Sequence, residues 1–467
     1  MRKMRAPAAP SALLEGKIMA QTVLLDPTRV SDEIPHEERP RTALGRFLSR
    51  IGMPPALAWG FAGVLIFMTG DGVESGYLSP YLVSMGFSEH DVALLFTIYG
   101  LSAAVAAWLS GALSDLWGAR RVMLTGLAIW GLLQVGFLLV ALPARSLPLM
   151  LLFYGIRGFG YPLFAFGFLV WVVTTVNPGR LGSAVGWFWF CFTGGMPTLG
   201  SVFAGYTIPY IGPIATLWLA LGLVMLGGAM ALGGIREKHG NVHAASADKH
   251  PLTTLFASLS IAWEHPKVGI GCIVRAIDTS AEFGFLVCLP LYFMHDLHFS
   301  LGQWLMVLQA IFISNVVWNL LFGILSDWLS WRGTVMLGGG VGSAISTLLL
   351  YWCPTHFGPG HMLPTLFAGA LYGMTLAAYV PLSALMPYLA PDDKPAAMSL
   401  LNLGAGASVW IGPAIVYLFE PRFGIFGVMV TYAGIYLLSA CLAWFLTLDP
   451  ALQAELDSSR RAVARSK

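Results

Sequence analysis

Long apolar runs alternate with short polar stretches along most of the chain. Each run is close to the ~20 residues that an α-helix needs to cross the hydrocarbon of a bilayer. Twelve such runs are present, at 57–84, 92–114, 121–142, 149–175, 182–207, 211–234, 268–294, 302–326, 334–353, 364–389, 396–419 and 424–447. The pattern predicts an all-α integral membrane protein with 12 transmembrane helices in two pseudo-symmetric six-helix bundles.

A polar segment at 235–267 separates the two sets of six runs. Within it, Leu252 to Trp263 is mildly amphipathic, which is typical of a helix lying on a membrane surface. The predicted organisation is a cytoplasmic N-terminal tail at 1–56, a six-helix bundle at 57–234, a cytoplasmic linker with an amphipathic helix at 235–267, a six-helix bundle at 268–447 and a cytoplasmic C-terminal tail at 448–467.

The composition supports a membrane protein and excludes several other classes. The chain is 57% hydrophobic and 11% charged, whereas soluble proteins are typically about 25% charged. The net charge of +2 gives no reason to expect a nucleic-acid partner. The five cysteines form no CxxC pair, so we expect no metal site. Pro7, Pro10, Glu15 and Lys17 interrupt the N-terminal apolar stretch, and we expect no cleaved signal peptide.

The lysines and arginines are distributed unevenly among the predicted loops. Of the 26, 22 lie in the tails, the central segment and the even-numbered loops, and only Arg145 and Arg422 lie in odd-numbered loops. Because positively charged loops stay on the cytoplasmic side, both termini are predicted to be cytoplasmic. The other two arginines, Arg157 and Arg275, lie inside predicted spans.

The second set of six runs repeats motifs of the first at an offset of about 208–218 residues. Four matches occur in the same order: Glu74-Ser-Gly76 with Glu282-Phe-Gly284, Phe87-Ser88 with Phe299-Ser300, Gly111 to Asp115 with Gly323 to Asp327, and Tyr154-Gly155 and Tyr161 with Tyr372-Gly373 and Tyr379. Six helices per repeat give both halves the same orientation. The halves should therefore be related by an axis along the membrane normal, with a solute site between them.

The loop after the second run reads Gly111-Ala-Leu-Ser-Asp115-Leu-Trp-Gly118-Ala-Arg120-Arg121 and resembles the signature loop of the major facilitator superfamily. A degenerate copy runs from Gly323 to Arg332. The resemblance implies a transporter whose halves are held together on the cytoplasmic side by gating residues, here Asp115, Arg120, Arg121, Asp327 and Arg332. This chain has Leu116 and Ala119 where the family usually has basic residues, so the latch would either be weaker or rely on Arg120 and Arg121 alone.

A second resemblance is narrower. The segment Asp71-Gly-Val-Glu74-Ser-Gly-Tyr-Leu-Ser-Pro-Tyr81 is similar to the polyol permease branch of that superfamily, which includes ribitol and D-arabinitol transporters. The branch also includes α-ketoglutarate permeases. The resemblance therefore implies a transporter of small organic solutes and leaves two substrate classes open.

Six ionisable residues lie inside the predicted spans: Asp71, Glu74, Arg157, Arg275, Asp278 and Glu282. Unpaired, they would cost about 15–20 kcal/mol on insertion scales, so they must be paired, hydrated or protonated. Four carboxylates against two guanidiniums favour a proton on at least one carboxyl. For proton coupling we expect Glu74 first and Asp71 second, with Arg157 as the cation that takes over a carboxylate as its proton leaves.

The same charges bear on the solute. A dicarboxylate would meet four acids and two cations, whereas a neutral polyhydroxyl solute can hydrogen-bond to all six groups. The predicted substrate-binding residues are Arg157, Arg275, Asp278, Glu282, Gln309, Asn315, Asn319, Tyr77, Tyr154, Tyr161, Tyr372 and Tyr379, with Asn402 as a further candidate. Three alternatives remain open: Asp278 could simply neutralise Arg275, Glu74 or Arg157 could belong to a structural salt bridge or lie near the headgroups, and each tyrosine or asparagine could serve helix packing.

These observations predict a proton-coupled symporter that imports a small polyol such as ribitol or D-arabinitol. The alternatives are an organic-acid permease of the same fold and, from another class, a membrane sensor that does not transport. We expect no enzyme, since the spans show no nucleophile and base or metal cluster, and no cofactor, since the proton gradient supplies the energy and no nucleotide-binding loop is present. The expected partners are the solute, protons and lipid, and the protein is expected to be a monomer in the bacterial inner membrane.

Overall fold

The computed structural model describes residues 42–234 and 259–465 of the 467-residue chain. All regular secondary structure within these residues is helical. Eight helical segments are long and apolar enough to cross a membrane. Two of them, Pro178–Gly234 and Pro391–Trp444, contain a glycine with positive φ, Gly212 (81°) and Gly424 (63°), at which two helices meet. Each of these two segments is therefore a pair of helices.

Two further helices, Ala58–Gly72 and Pro266–Leu291, complete a set of twelve among the described residues. In chain order the twelve are α1 (Ala58–Gly72), α2 (Glu89–Trp117), α3 (Ala119–Ala144), α4 (Leu147–Thr175), α5 (181–211), α6 (213–234), α7 (Pro266–Leu291), α8 (Leu301–Trp328), α9 (Trp331–Phe357), α10 (Met362–Leu389), α11 (394–423) and α12 (425–444). Shorter helices span Ala43–Arg50, Leu78–Ser84 and Pro450–Arg465. The predicted twelve-helix fold is confirmed.

The first predicted span, 57–84, is not one continuous helix. After α1 the chain forms a 3₁₀ turn at Val73–Gly76 and then the short helix Leu78–Ser84. Gly72 packs directly on the backbone of Met196 in α5, with no room for a Cβ. This close approach requires glycine, which is less stable in a regular helix than every residue except proline, and the α-helix ends beside it.

Parts of the predicted organisation fall on residues 1–41 and 235–258, which lie outside the described part of the chain. These residues include most of the N-terminal tail and most of the linker, with more than half of the segment predicted to be an amphipathic helix. The domain boundaries drawn from the sequence therefore stay a prediction.

The sequence repeat is visible as matching helix starts. Ser88 begins α2 by accepting a hydrogen bond from the Asp91 N–H at 3.1 Å, and the Asp91 carboxylate accepts from the Ser88 N–H in return. Ser300 and Gln303 form the same reciprocal pair at the start of α8. Each capping box satisfies otherwise unpaired N–H groups at the helix start. The matched Phe-Ser motifs therefore mark equivalent helix starts in the two halves.

Close helix crossings and aromatic contacts form the core within the N-terminal half. A Cβ on Gly63 of α1 would lie 2.6 Å from the carbonyl oxygen of Gly227 in α6. The rings of Phe67 and Phe164 stack with centroids 4.1 Å apart, which joins α1 to α4. Small residues that allow such contacts are the usual basis of helix packing in lipid.

The main contacts between the N-terminal half and the C-terminal half are those of α5 with α8 and of α2 with α11. A Cβ on Gly186 would lie 2.7 Å from the Cα of Gly323, so α5 and α8 cross in direct backbone contact. In the equivalent pair, the Asn402 amide donates to the Ser110 hydroxyl at 2.9 Å. Both crossings lie near the C-terminal ends of α2 and α8, at the end of the bundle that carries the loops after these helices.

Candidate functional site

The carboxylates Asp71 and Glu74 lie where α1 changes into its 3₁₀ turn. They are 4% and 5% exposed. Glycine contacts set this position, because a Cβ on Gly200 of α5 would lie 2.5 Å from the carbonyl carbon of Gly72. The tight crossing of α1 and α5 therefore buries two acids side by side in the N-terminal half.

Arg157 of α4 supplies the counter-charge. It follows a π-helical stretch, Leu151–Gly155, and precedes a break in the helix at Gly158. Its guanidinium is fully buried and pairs with both oxygens of the Glu74 carboxylate; the Nη1 to Oε2 distance is 2.9 Å. Nη1 also donates to the Oε1 of Gln134 in α3. Such a pair tolerates burial because attraction and hydrogen bonds offset the loss of hydration.

Aromatic rings surround this ion pair and connect it to Asp71. The rings of Tyr154, Trp130 and Tyr99 lie 4.4, 4.7 and 5.5 Å from the guanidinium carbon of Arg157. Two of them also donate to Asp71 Oδ1: the Trp130 indole N–H at 2.6 Å and the Tyr99 hydroxyl at 3.4 Å. The two neighbouring acids thus have different partners, a cation for Glu74 and neutral donors for Asp71.

The second group of charges lies on α7 in the C-terminal half. Arg275 pairs with Asp278, three residues further along the same helix. The other carboxylate oxygen of Asp278, Oδ1, is buried and accepts no hydrogen bond from the described residues. Glu282, one turn on, is partly buried, and its carboxylate makes no hydrogen bond or ion pair within residues 42–234 and 259–465. The C-terminal half therefore presents carboxylate oxygens with unused acceptor capacity.

Tyr154 lies against Arg157, but the other predicted binding residues do not gather around these charges. Tyr77 donates to the Pro213 carbonyl, Tyr161 packs on Tyr99 and Phe192, Tyr372 contacts the Tyr436 hydroxyl, and Tyr379 contacts the Ser439 hydroxyl. Asn315 donates to the Gly373 carbonyl, Asn319 donates to Thr193 and Asn315, and Gln309 is exposed on α8. Most of these contacts hold helices together, which is the packing alternative that the sequence left open.

One indirect connection reaches the charges of α7. Tyr436 of α12 donates from its hydroxyl to the backbone carbonyl of Asp278 at 2.9 Å, and Tyr372 contacts the same hydroxyl at 3.0 Å. Tyr372 is fully buried, and through its contact with the Tyr436 hydroxyl it stabilises the backbone of α7 at Asp278.

Among the predicted gating residues, Asp327 joins the two halves. Its carboxylate accepts hydrogen bonds from the backbone N–H groups of Gly182 and Ser183 at 2.8 and 2.7 Å and from the Ser183 hydroxyl at 2.7 Å. A carboxylate from the end of α8 thus caps the positive N-terminus of α5.

The remaining gating residues occupy other positions. Arg332 donates to the Trp444 carbonyl at 3.0 Å at the end of α12, within its own half. Asp115 lies near the end of α2, and Arg120 and Arg121 lie in the first turn of α3.

Four site residues were missed in the sequence: Trp130, Gln134, Tyr99 and Trp189. Trp189 of α5 places its indole 4.8 Å from the Arg275 guanidinium carbon and donates to the Ser383 hydroxyl at 3.3 Å. A usable signal existed for α3, because Gln134 is an amide within an apolar span, four residues after Trp130 and so on the same helix face.

Comparison with known proteins gives consistent matches. A family model, that of the Major Facilitator Superfamily, matches residues 60–391 and 271–466. The chain is 44% identical to an alpha-ketoglutarate permease of Bacillus subtilis (strain 168), over 87% of this chain and 93% of that protein. It is 37% identical to a D-arabinitol transporter of Klebsiella pneumoniae, over 85% and 94% respectively. Among solved structures, the fold resembles the transporter FucP in its outward conformation, with a TM-score of 0.69, 12% identity and coverage of 86% of this chain and 100% of that chain.

Proposed function

The chain belongs to the Major Facilitator Superfamily and is a membrane transporter, and from this premise we propose that it imports a small polyol, such as D-arabinitol or ribitol, together with protons. The observation that carries the proposal is the buried ion pair of Glu74 and Arg157 beside the second acid Asp71. The proton gradient is the only energy source in this mechanism, which uses no cofactor.

Proton coupling follows from the two carboxylates sharing one cation. Ionised Glu74 is stabilised by Arg157, and a proton on Glu74 removes that attraction. The positive charge of Arg157 then attracts mainly ionised Asp71, which still lies within reach of the electric field of the guanidinium. Binding and release of one proton at Glu74 can therefore be linked to the conformational cycle, because the charges within α1 and α4 change with it.

The C-terminal half supports a neutral, hydroxyl-rich solute. Arg275 is already paired with Asp278, so it offers little attraction to an anion. Asp278 Oδ1 and the Glu282 carboxylate have spare acceptor positions, and hydroxyl groups can donate to both. An organic acid would bring further negative charge next to these oxygens. Similarity to the D-arabinitol transporter agrees with this choice.

A second candidate is transport of an organic acid. The higher identity of 44% to the alpha-ketoglutarate permease favours it. For this substrate, Arg157 and Arg275 would have to exchange their carboxylate partners for those of the solute, with Glu74 and Asp278 protonated. The two candidates share the fold and the coupling site and differ in which groups contact the solute.

The arrangement of the halves supports an outward-facing conformation. The contacts of α5 with α8 and of α2 with α11 lie at the end that carries the even-numbered loops, which the positive-inside rule assigns to the cytoplasm. In this proposal Asp327 and Ser183 close the cytoplasmic side. The protein acts as a monomer in the bacterial inner membrane, with both termini in the cytoplasm.

The decisive experiment is uptake into proteoliposomes that contain the purified full-length protein. Labelled D-arabinitol, ribitol and α-ketoglutarate are supplied outside, with and without an inward proton gradient. Polyol accumulation that requires the gradient is the expected result. Accumulation of α-ketoglutarate alone would overturn the polyol assignment. Equal accumulation of solute with and without the proton gradient would overturn proton coupling.

A further inference from the structure

Among residues 42–234 and 259–465, Gln134 is the one amide side chain that forms a hydrogen bond with the buried ion pair. It lies in α3, is fully buried, and accepts a hydrogen bond from Nη1 of Arg157 through Oε1. This contact is separate from the two bonds that Arg157 makes to Glu74. A role for Gln134 would be additional to the proposed roles of Glu74 and Arg157, and it rests on the proposed proton coupling.

The surroundings of Arg157 leave its guanidinium few ways to move. Tyr99, Trp130 and Tyr154 all lie within 5.5 Å of the guanidinium carbon, and these rings limit tilting. Within its plane, the guanidinium is held by Glu74 and by Gln134. When Glu74 takes up a proton, its attraction for the Arg157 guanidinium weakens. The amide oxygen of Gln134, in contrast, accepts a hydrogen bond equally well at every physiological pH.

Asp71 is the competing partner for the cation. It lies one turn before Glu74, and its present donors, Trp130 and Tyr99, are neutral. An ionised carboxylate attracts a guanidinium more strongly than it attracts a neutral donor. If Arg157 formed its direct bonds with Asp71, Glu74 would lose the cation that favours release of its proton.

We propose that Gln134 is a positioning residue that keeps the Arg157 guanidinium beside Glu74 while Glu74 is protonated, and so prevents its capture by Asp71. The cation then remains in place for the next release of the proton. Glu74 stays the proton carrier, and Asp71 acts on Arg157 only through its field.

The test is a double-mutant cycle read by gradient-driven accumulation of D-arabinitol in proteoliposomes. Gln134→Leu removes the acceptor, and should lower accumulation about tenfold, the equivalent of one hydrogen bond to a charged group. In an Asp71→Asn background the competitor has lost its charge. There the same Gln134→Leu change should lower accumulation less than about twofold relative to Asp71→Asn alone.

A purely structural role for Gln134 predicts a different pattern. Loss of packing would lower accumulation by the same factor in both backgrounds, and that result would overturn the proposal. Gln134→Met, an unbranched apolar substitution, repeats the cycle if the leucine variant does not fold. Exchange of preloaded solute at equal pH on both sides checks each variant for folding.

The pH profile of accumulation gives a second readout. The titratable and charged groups around Glu74 are Asp71 within α1, Tyr77 after the 3₁₀ turn, Tyr99 from α2, and Tyr154 and Arg157 from α4. Gln134→Leu should displace the midpoint of the profile, because the Arg157 guanidinium is then no longer kept beside Glu74. An unchanged profile would contradict the proposal.

A wild-type protein without gradient-driven uptake of D-arabinitol or α-ketoglutarate would overturn the proposed function itself, whereas a coupled wild type with equal losses in both backgrounds overturns only the role of Gln134.

Discussion

The indole of Trp189 lies over the guanidinium of Arg275, 4.8 Å from the ring centroid to the guanidinium carbon, and this contact joins α5 of one half to α7 of the other. The same indole donates to Ser383 of α10. A single side chain of the N-terminal half therefore contacts two helices of the C-terminal half, next to the charge pair of Arg275 and Asp278.

Trp189→Leu should make the halves separate more easily at this end. The change removes a cation–π contact worth about 0.5–2 kcal/mol and a hydrogen bond worth about 1 kcal/mol. The measurement is the rate at which a cytoplasmic thiol reagent labels a Ser110→Cys reporter in a protein without other cysteines. Ser110 is fully buried at the contact of α2 with α11. Labelling should accelerate by about tenfold.

Trp187→Leu provides the matched control. This indole belongs to the same helix but donates to the Ile51 carbonyl within its own half, at 3.0 Å. Equal acceleration in both variants would mean that Trp189 acts through general stability.

Asp327→Asn should weaken closure of the same end. The carboxylate accepts three hydrogen bonds at the start of α5, and loss of its charge should cost about 1–2 kcal/mol of cap stabilisation. Labelling of the Ser110→Cys reporter should rise accordingly. Asp393→Asn is the control, since Asp393 caps Ala396 of its own helix at 3.2 Å. If Asp393→Asn opens the protein as much as Asp327→Asn does, the contact between halves has no special role.

Gly186→Val should lower the thermal stability of the purified protein. Its Cβ would lie 2.7 Å from the Cα of Gly323, so α5 and α8 must move apart. The melting temperature, followed in detergent, should fall by several degrees, as for an overpacked site that costs about 1–3 kcal/mol. Gly205→Val places the same side chain elsewhere on α5, with no atom within 4 Å of its Cβ. Similar melting temperatures for the two variants would contradict a close crossing.

Glu74→Gln should abolish accumulation above equilibrium, because the amide cannot bind and release a proton. Exchange of preloaded D-arabinitol should remain measurable. Its counterpart in the repeat, Glu282→Gln, should instead raise the KM and keep gradient-driven accumulation. Uphill uptake by Glu74→Gln at the wild-type level would exclude Glu74 from the proton path.

Cysteines placed one at a time in 236–250 should react with impermeant thiol reagents only from the cytoplasmic side. The expectation rests on the distribution of basic residues, which assigns the linker and both termini to that side. Labelling from the opposite side in intact cells would reverse the predicted orientation.

The sequence predicted the number of helices and the repeat because both depend on features that hydropathy records directly: the length of apolar runs and the spacing of matched motifs. It did not predict the end of α1 at Gly72. Apart from Glu74, the residues of the 3₁₀ turn Val73–Gly76 are no more polar than those of a transmembrane helix. The break depends on the contact of Gly72 with Met196, which is far away in sequence.

The same distinction holds for the site. Glu74 and Arg157 were recognisable separately because charge is costly in a span, although their pairing across 83 positions required the structure. Asp278 pairs with Arg275, which is the alternative that the sequence left open for this acid. Gln134 was overlooked, since a neutral amide resembles many helix-packing residues. For such uncharged groups, only the fold distinguishes a contact with the ion pair from a contact between helices.

The two buried arginines among the described residues each pair with a carboxylate of their own half, Arg157 with Glu74 and Arg275 with Asp278. When two halves rock against each other, these opposite charges travel together as rigid dipoles, and no electrical work is spent on pulling them apart in a medium of low dielectric. We therefore expect the rate of reorientation to depend little on ionic strength and to respond instead to the thickness and lateral pressure of the surrounding bilayer.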